Sequence, residues 1–394
     1  MALEKITWNL EGSKQSSLQL MGLALIKDES TILNVPRISD VFDFLAIYES
    51  IGGVYSFVGN DLEMDSRNVS SRRLEFNKSI FDKFRSSVFF MLLILNRCDE
   101  MTIPYPGGCK IGLRPIDIHL DVLKQIGINV YCGEEITLKR TKIILRDVII
   151  KGNSMSASVF ALAIKYLFRV RITNIALEPE IDDARNLLSE KAVITMSDRN
   201  AMATYFSLSS ILRKNIILTN FRYSNFYKDE CLQYLIKQLN LQTYLSNNIL
   251  EISSAHSCIE EEIELTTGRY PLLCTDMHPI IVPALMANSY RKIKVSDQVF
   301  SDRFQYLKEI CRFNNYRYMQ ISTGSYCIYK VSDFIRRSNI VLEGKDIRET
   351  VSFLLVAVLY KNLRFTINGI AHIKRAYEKF DQLICSCSNN IKLQ

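Results

Sequence analysis

One unit recurs six times along the chain, and this repetition constrains the fold more than any other feature of the sequence. Each unit consists of an apolar helix, a short β-rich segment, a loop with charged residues and an amphipathic helix. In the first unit the apolar helix covers 18–27, the strand covers 31–35, and the second helix ends near Ile51. The strands of the other units are predicted at 101–105, 171–175, 215–219, 291–295 and 363–368.

The helices keep the same order relative to these strands. The second unit opens with an apolar helix at 88–96 and closes with a helix at 117–126. The third unit begins at Ser158 and ends near Ser189. Each of the last three strands is followed by a helix, and these helices are predicted to begin near Asp229, Arg303 and Arg375.

Three units in each half indicate two similar domains, because one unit alone could not bury the apolar faces of both its helices. A chain of 394 residues also exceeds what one hydrophobic core usually holds. The β-type stretch at 142–150, between two units, is predicted to form an additional strand. We therefore expect an α/β (α+β) fold of two domains.

Composition places the chain among globular proteins, since 48% of its residues are hydrophobic and 23% are charged. The longest apolar run, 88–95, is far shorter than the ~20 residues that a spanning helix needs. The N-terminal residues lack the apolar stretch of a signal peptide. We expect a cytoplasmic protein that neither contacts a membrane nor has an obligate protein partner.

The ten cysteines are scattered without C-x-x-C pairs, which is typical of a reducing compartment. The four histidines have no ligand spacing with cysteine or carboxylates, so we expect no metal and no cofactor. The net charge of +7 comes from lysines and arginines that are spread along the chain rather than gathered in one run. This distribution argues against nucleic-acid binding and favours small anionic substrates.

Short motifs spread over nearly the whole chain connect these repeats with a known fold. They lie at 12–14, 34–40, 106–119, 178–180, 275–277, 302–304, 346–348 and 372–378. Together they resemble the enolpyruvyl transferase family, and within it the UDP-N-acetylglucosamine 1-carboxyvinyltransferases of peptidoglycan synthesis. The resemblance implies two similar inside-out α/β barrel domains, each of three repeated βαβ-type units. One would cover 14–196, and the other 197–394 together with 1–13.

The resemblance also implies phosphoenolpyruvate and a uridine nucleotide as substrates. Phosphoenolpyruvate carries a phosphate and a carboxylate, so its site needs several cations. Lys14, Arg85 and Arg114 would face the phosphate, and Arg303 and Arg375 would hold the carboxylate. A lysine that follows a Gly-Ser pair before an apolar helix can offer an anion both its ammonium and backbone N–H groups. Taken singly, each cation could instead be a surface charge or a structural ion pair.

The reaction adds a hydroxyl to C2 of phosphoenolpyruvate, protonates C3 and then eliminates phosphate, so it needs proton-transfer groups. By resemblance, Asp276 would be the base and Cys109 would act in proton donation and product release, with Lys14, Asp346 and Arg348 completing the catalytic set. Asp276 could alternatively cap a helix, and Cys109 could be an inert core residue. The Gly-rich, cationic surroundings of Cys109 are typical of a reactive thiol in a mobile loop.

The departures from the family pattern cluster around the acceptor. Arg114, Pro115 and Asp117 belong to a stretch that holds the uracil base and diphosphate in the family, although Pro115 and Asp117 would also suit a simple helix start. Gln15 stands where the family has an asparagine that contacts the amino sugar, and the segments 152–157 and 198–204 depart from the family pattern. Transfer to another uridine nucleotide such as UMP therefore stays open, as does a non-catalytic nucleotide-binding paralogue.

Overall fold

The computed structural model of the protein describes residues 5–69, 74, 76–107, 116–254, 262–301, 303–332 and 339–394. Within these ranges, three segments form 3₁₀ helices: Arg85–Leu95, Phe226–Lys228 and Ile370–Arg375. The α-helices are α1 (Lys14–Ala24), α2 (Ser39–Ser50), α3 (Lys78–Phe81), α4 (Asp117–Gln125), α5 (Met155–Phe168), α6 (Glu180–Ser189), α7 (Arg199–Leu212), α8 (Glu230–Gln238), α9 (His278–Ala287), α10 (Gln305–Cys311), α11 (Ile347–Leu359) and α12 (Phe380–Cys387).

The strands occur singly or in runs between these helices. They are β1 (Ile6–Asn9), β2 (Glu29–Leu33), β3 (Val54–Val58), β4 (Asp61–Asp65), β5 (Glu100–Ile103), β6 (Ile128–Cys132), β7 (Ile136–Arg140), β8 (Val148–Ile149), β9 (Ile172–Thr173), β10 (Ala192–Ile194), β11 (Ile216–Thr219), β12 (Leu241–Ser246), β13 (Ile249–Ser254), β14 (Glu262–Gly268), β15 (Leu273–Cys274), β16 (Lys292–Asp297), β17 (Tyr316–Ser322), β18 (Ser325–Lys330), β19 (Asn339–Glu343), β20 (Arg364–Asn368) and β21 (Ile391–Leu393).

The chain divides into two compact units. The first unit is Gly12–Met196, and the second combines Met1–Glu11 with Ser197–Gln394. The N-terminal segment belongs to the second unit because β1 pairs in parallel with β11, with Ile6 opposite Ile216. The described strands of the first unit form sheets in the orders β10-β2-β4-β3, β5-β7-β6 and β8-β9. Those of the second unit form sheets in the orders β1-β11-β13-β12, β15-β14-β16-β18-β17 and β19-β20-β21.

Helices form the core of each unit. In the first unit every residue from Ser16 to Ala24 in α1 and from Ser87 to Leu95 in the 3₁₀ helix is buried. The two helices touch at Gly22, where an added Cβ would lie 2.5 Å from the ring of Phe89. In the second unit α7, α9 and α11 are buried along almost their whole length. Helices buried all round occupy the middle of a core.

Strands such as β4, β16 and β20 are instead buried on alternate residues, which places one face of each strand on the core. The predicted mixed α/β class with two domains is therefore confirmed. None of the sheets formed by the described strands closes on itself, and the barrel and repeat description stays a prediction. No helix in the described ranges combines the length and the apolarity required to cross a bilayer.

Two local predictions were wrong. The strand predicted at 142–150 is reduced to Val148–Ile149, and Leu145, which its alternating pattern placed in a strand, is 69% exposed. The helix predicted to begin near Arg375 begins at Phe380. Arg375 instead ends a 3₁₀ helix, because Ala376 leaves helical geometry at φ −139°.

Candidate active site

The predicted site residues Cys109, Arg114 and Pro115 lie outside the described residues. The other predicted residues are divided between the two units. The first unit contains Lys14, Gln15, Arg85 and Asp117, and the second contains Asp276, Arg303, Asp346, Arg348 and Arg375.

Asp276 lies between β15 and α9, and two arginines bind its carboxylate. Nη1 of Arg303 donates to Oδ1, and Nε of Arg348 donates to Oδ2 at 3.2 Å. The side chains of Arg303 and Arg348 are 3% and 9% exposed, whereas that of Asp276 is 20% exposed. Each carboxylate oxygen thus has its own buried cation, so the orientation of the carboxylate is determined while part of it stays accessible.

Arg303 has further contacts around this carboxylate. Its Nη1 donates to Thr275 Oγ1 at 3.0 Å, and its guanidinium carbon lies 4.9 Å from the centre of the Phe300 ring. Its Nε is buried and has no hydrogen-bond partner among the described residues. Because an unpaired buried donor of a charged group costs free energy, an acceptor that reaches this nitrogen would be stabilised.

Asp346 supports Arg348 through the backbone. Asp346 caps the N-terminus of α11, where its Oδ1 accepts from the backbone N–H of Arg348 at 2.7 Å and of Glu349 at 2.9 Å. Arg348 projects from this first turn, and its Nη1 donates to the hydroxyl of Tyr377 at 3.1 Å. The N-cap thereby fixes the backbone from which Arg348 reaches Asp276.

Cys274 and His278, the titratable neighbours of Asp276 in sequence, are held neutral. Burial, with the nearby Asp276, raises the pKa of Cys274 to about 12. Burial, with the charge of Arg303, lowers the pKa of His278 well below its usual range. The imidazole stacks on Phe304 at 4.6 Å between ring centres. Near neutral pH these two groups therefore supply neither a thiolate nor an imidazolium.

Lys14 is the first residue of α1 and forms an ion pair with Asp40. Its Nζ lies 2.6 Å from Asp40 Oδ2, and the two side chains are 15% and 3% exposed. Ser13 caps the helix by accepting from the Ser16 N–H at 3.2 Å. Gly12 is required by close approach, since an added Cβ would lie 1.8 Å from the carbonyl oxygen of Asn34. The Gly-Ser-Lys motif thus positions an ammonium beside a capped helix N-terminus.

Arg85 begins the 3₁₀ helix of the first unit, and its Nη1 donates to the Pro106 carbonyl at 3.4 Å. The buried His119 hydrogen-bonds Ser156 Oγ through Nε2 at 2.9 Å. Burial, assisted by the charge of Arg85, lowers the pKa of His119 to about 3. Ser156 belongs to the divergent segment 152–157, so that segment packs directly against the stretch that carries Asp117.

The other predicted residues occupy separate positions. Gln15 is a half-buried residue in the first turn of α1, and Asp117 is the exposed first residue of α4. Arg375 is the half-buried last residue of its 3₁₀ helix.

Some residues of these clusters were not predicted as site residues. Asp40, Thr275 and Tyr377 lie inside the motifs that carry the resemblance, so the motifs were the signal that could have identified them. Glu11 had a weaker signal, an acidic residue next to Gly-Ser-Lys. It is buried, Tyr205 donates to its Oε2 at 3.1 Å, and burial raises its pKa to about 8.

Known proteins resemble this chain in sequence. The profile of the family described as EPSP synthase (3-phosphoshikimate 1-carboxyvinyltransferase) matches residues 3–193. A UDP-N-acetylglucosamine 1-carboxyvinyltransferase from Prochlorococcus marinus (strain NATL2A) is 26% identical over 97% of this chain and 87% of its own length. UDP-N-acetylglucosamine 1-carboxyvinyltransferase 2 from Caldanaerobacter subterraneus subsp. tengcongensis is 27% identical over 97% of this chain and 95% of its own length.

Solved structures share the fold at lower identity. The enolpyruvyl transferase NikO from Streptomyces tendae superposes with a TM-score of 0.82 at 14% identity, covering 98% of this chain and 95% of its own. An EPSP synthase from Acinetobacter baumannii has a TM-score of 0.67 at 13% identity, covering 98% and 96%. At these identities the likeness concerns the two-domain fold alone.

Proposed function

We propose that the chain is an enolpyruvyl transferase of the EPSP synthase family, and that it moves the carboxyvinyl group of phosphoenolpyruvate to a hydroxyl of UDP-N-acetylglucosamine, with release of phosphate. The observation that carries the proposal is the Asp276 carboxylate bound by Arg303 and Arg348. Support for this acceptor comes from the relatives named UDP-N-acetylglucosamine 1-carboxyvinyltransferase, whose sequences align with 97% of this chain.

Asp276 acts as the base in this proposal. It removes the proton of the acceptor hydroxyl while that oxygen forms a bond to C2 of phosphoenolpyruvate and C3 takes up a proton from the Cys109 thiol, the donor that the family resemblance implies. The tetrahedral adduct then returns a proton from C3 to the thiolate as the bond from C2 to the phosphate oxygen breaks and phosphate leaves. Two nearly buried guanidinium groups support this role, because they hold the carboxylate in one orientation relative to the reacting atoms.

Arg303 binds the carboxylate of phosphoenolpyruvate in the proposed complex. Its Nη1 is already engaged by Asp276 and Thr275, whereas its Nε has no partner among the described residues. A guanidinium can serve two carboxylates with different donors. Arg303 therefore connects the base to the substrate, with Arg375 as the second carboxylate ligand.

The phosphate is assigned to Lys14 and Arg85. Lys14 forms its ion pair at the N-terminus of α1, where backbone N–H groups also favour an anion. Its flexible stem lets the ammonium turn from Asp40 to a phosphate oxygen. Arg114 and the thiol of Cys109 complete the proposed set by resemblance.

A different uridine nucleotide, such as UMP, is the second candidate acceptor. The divergence of segment 152–157 motivates this candidate, because its Ser156 hydrogen-bonds His119, two residues after Asp117, which is proposed to bind the nucleotide. Gln15, one methylene longer than the family asparagine, adds bulk where the amino sugar would bind.

The test compares phosphate release from phosphoenolpyruvate in the presence of UDP-N-acetylglucosamine, UDP or UMP. Turnover that requires the sugar nucleotide supports the leading proposal. Turnover with UMP alone moves the acceptor to the second candidate while keeping the reaction class. No release with any of the three, in a protein that still binds nucleotide, would indicate a non-catalytic paralogue.

A further inference from the structure

A chain of hydrogen bonds extends from Asp276 into the second unit. Arg348 contacts Asp276 through Nε and Tyr377 through Nη1, the latter at 3.1 Å. The Tyr377 hydroxyl lies 2.7 Å from Thr204 Oγ1, and the Thr204 hydroxyl lies 3.0 Å from the carbonyl oxygen of Asn200. The chain therefore joins the proposed base to the first turns of α7.

The chemistry of these groups determines the direction of every bond. Arginine only donates, so the Tyr377 oxygen accepts from Arg348. The hydroxyl hydrogen of Thr204 is directed at the carbonyl of Asn200, which leaves its oxygen to accept the Tyr377 O–H. The phenol thus accepts one hydrogen bond and donates another. Phenylalanine at this position would remove both.

Because these groups are buried, losing one of their hydrogen bonds is costly. As whole residues, Arg348, Tyr377 and Thr204 are 7%, 2% and 0% exposed. Burial also raises the pKa of Tyr377 to about 12, so the phenol keeps its proton near neutral pH. A guanidinium nitrogen that loses its acceptor in such surroundings leaves a buried donor unpaired, which favours a different side-chain orientation.

We propose that Tyr377 is a positioning residue that sets the orientation of Asp276 through Arg348, and that Thr204 holds the Tyr377 hydroxyl in place. The catalytic consequence rests on the proposed function, because it requires Asp276 to be the base. The coupling between Tyr377 and Arg348 does not depend on any activity.

Steady-state phosphate release measures the catalytic consequence. Tyr377→Phe lowers kcat by about 10–100-fold with unchanged KM for phosphoenolpyruvate and nucleotide, because a small displacement of a reacting group affects the chemical step. Thr204→Val lowers kcat by less than about tenfold, and Thr204→Ser, which keeps the hydroxyl, restores it. The control is Tyr316→Phe. The buried hydroxyl of Tyr316 donates to the backbone carbonyls of Met286 and Tyr290, and its loss leaves kcat unchanged.

Melting temperature measures the coupling independently. We expect the Tm losses of Tyr377→Phe and Arg348→Met to differ from additivity in the double variant by at least about 2 °C, since both remove the same contact. If the wild type releases no phosphate with any nucleotide, the proposed function fails and the Tm comparison alone decides the coupling. Additive Tm losses, or an unchanged kcat for Tyr377→Phe in an active enzyme, overturn the inference.

Discussion

The ion pairs of Asp276 in the second unit and of Lys14 in the first unit differ in how firmly their charged groups are held. In the second unit two almost buried arginines converge on Asp276, whereas in the first unit the ammonium of Lys14 pairs with Asp40. The guanidinium groups are planar and held by several acceptors, while the ammonium sits at the end of a flexible stem. The comparison indicates that the Asp276 cluster, which consists of Asp276, Arg303 and Arg348, holds a carboxylate in a fixed orientation. The Lys14–Asp40 pair instead holds an ammonium group that can turn toward a ligand.

The largest expected effect tests the Asp276 cluster. Asp276→Asn should lower kcat for phosphate release by about 10³-fold, the usual contribution of a general base. The control is Glu262→Gln, which removes an exposed carboxylate paired with Lys292 at 2.9 Å and should leave kcat unchanged. A variant at Asp276 that keeps a tenth or more of the wild-type rate would mean that the base lies elsewhere.

A smaller effect tests the assignment of Lys14 to the phosphate of phosphoenolpyruvate. Lys14→Met should lower kcat/KM for phosphoenolpyruvate by about 100-fold, because one cation on the phosphate is lost. The matched control is Lys191→Met, since Lys191 forms an exposed pair with Glu29 at 2.7 Å in the same unit. Equal effects of the two substitutions would contradict the assignment of Lys14 to the substrate.

The pH dependence of stability tests the burial of His119, which lies near Arg85. Because the pKa of His119 is lowered to about 3 in the folded state, the unfolded chain binds the proton first as the pH falls below about 6.5. The contribution of His119 to the free energy of unfolding is therefore present above that pH. As the pH falls toward 3 this contribution is lost, by up to ~1.4 kcal/mol per pH unit. Urea unfolding at several pH values should show a shallower acid slope for His119→Gln.

A matched variant separates this effect from general acid sensitivity. His372→Gln removes a half-buried histidine whose pKa burial lowers less strongly. Its acid slope should stay close to that of the wild type. If both variants change the slope equally, the burial of His119 is not its cause.

The smallest expected effect concerns the support of Arg348. Asp346→Ala removes the N-cap of α11 and should lower the free energy of unfolding by about 1 kcal/mol. Asp346→Ser keeps a capping oxygen and should recover most of that loss. Urea unfolding of the three proteins provides the comparison, and an unchanged midpoint for the alanine variant would show that the cap contributes little.

Local signals in the sequence were enough for much of the fold. The apolar helix predicted at 18–27 is α1, which covers Lys14–Ala24, and the strand predicted at 215–219 is β11, because periodicity and propensity act over neighbouring residues. The strand predicted at 142–150 failed for the converse reason. A β pattern becomes a strand only where a partner strand lies beside it, and the partner of β8 pairs with just Val148 and Ile149.

The sequence by itself determined the family motifs and thus the residue types of the site, including Asp276, Arg303, Arg348 and Lys14. Only the tertiary structure decided which of them meet. Arg348 and Asp276 are 72 positions apart, and Thr204 and Tyr377 are 173 apart. No local pattern encodes contacts over such separations, because they form only when α7 and α11 pack with the segments that carry Asp276 and Tyr377 and bring these buried polar groups to hydrogen-bonding distance.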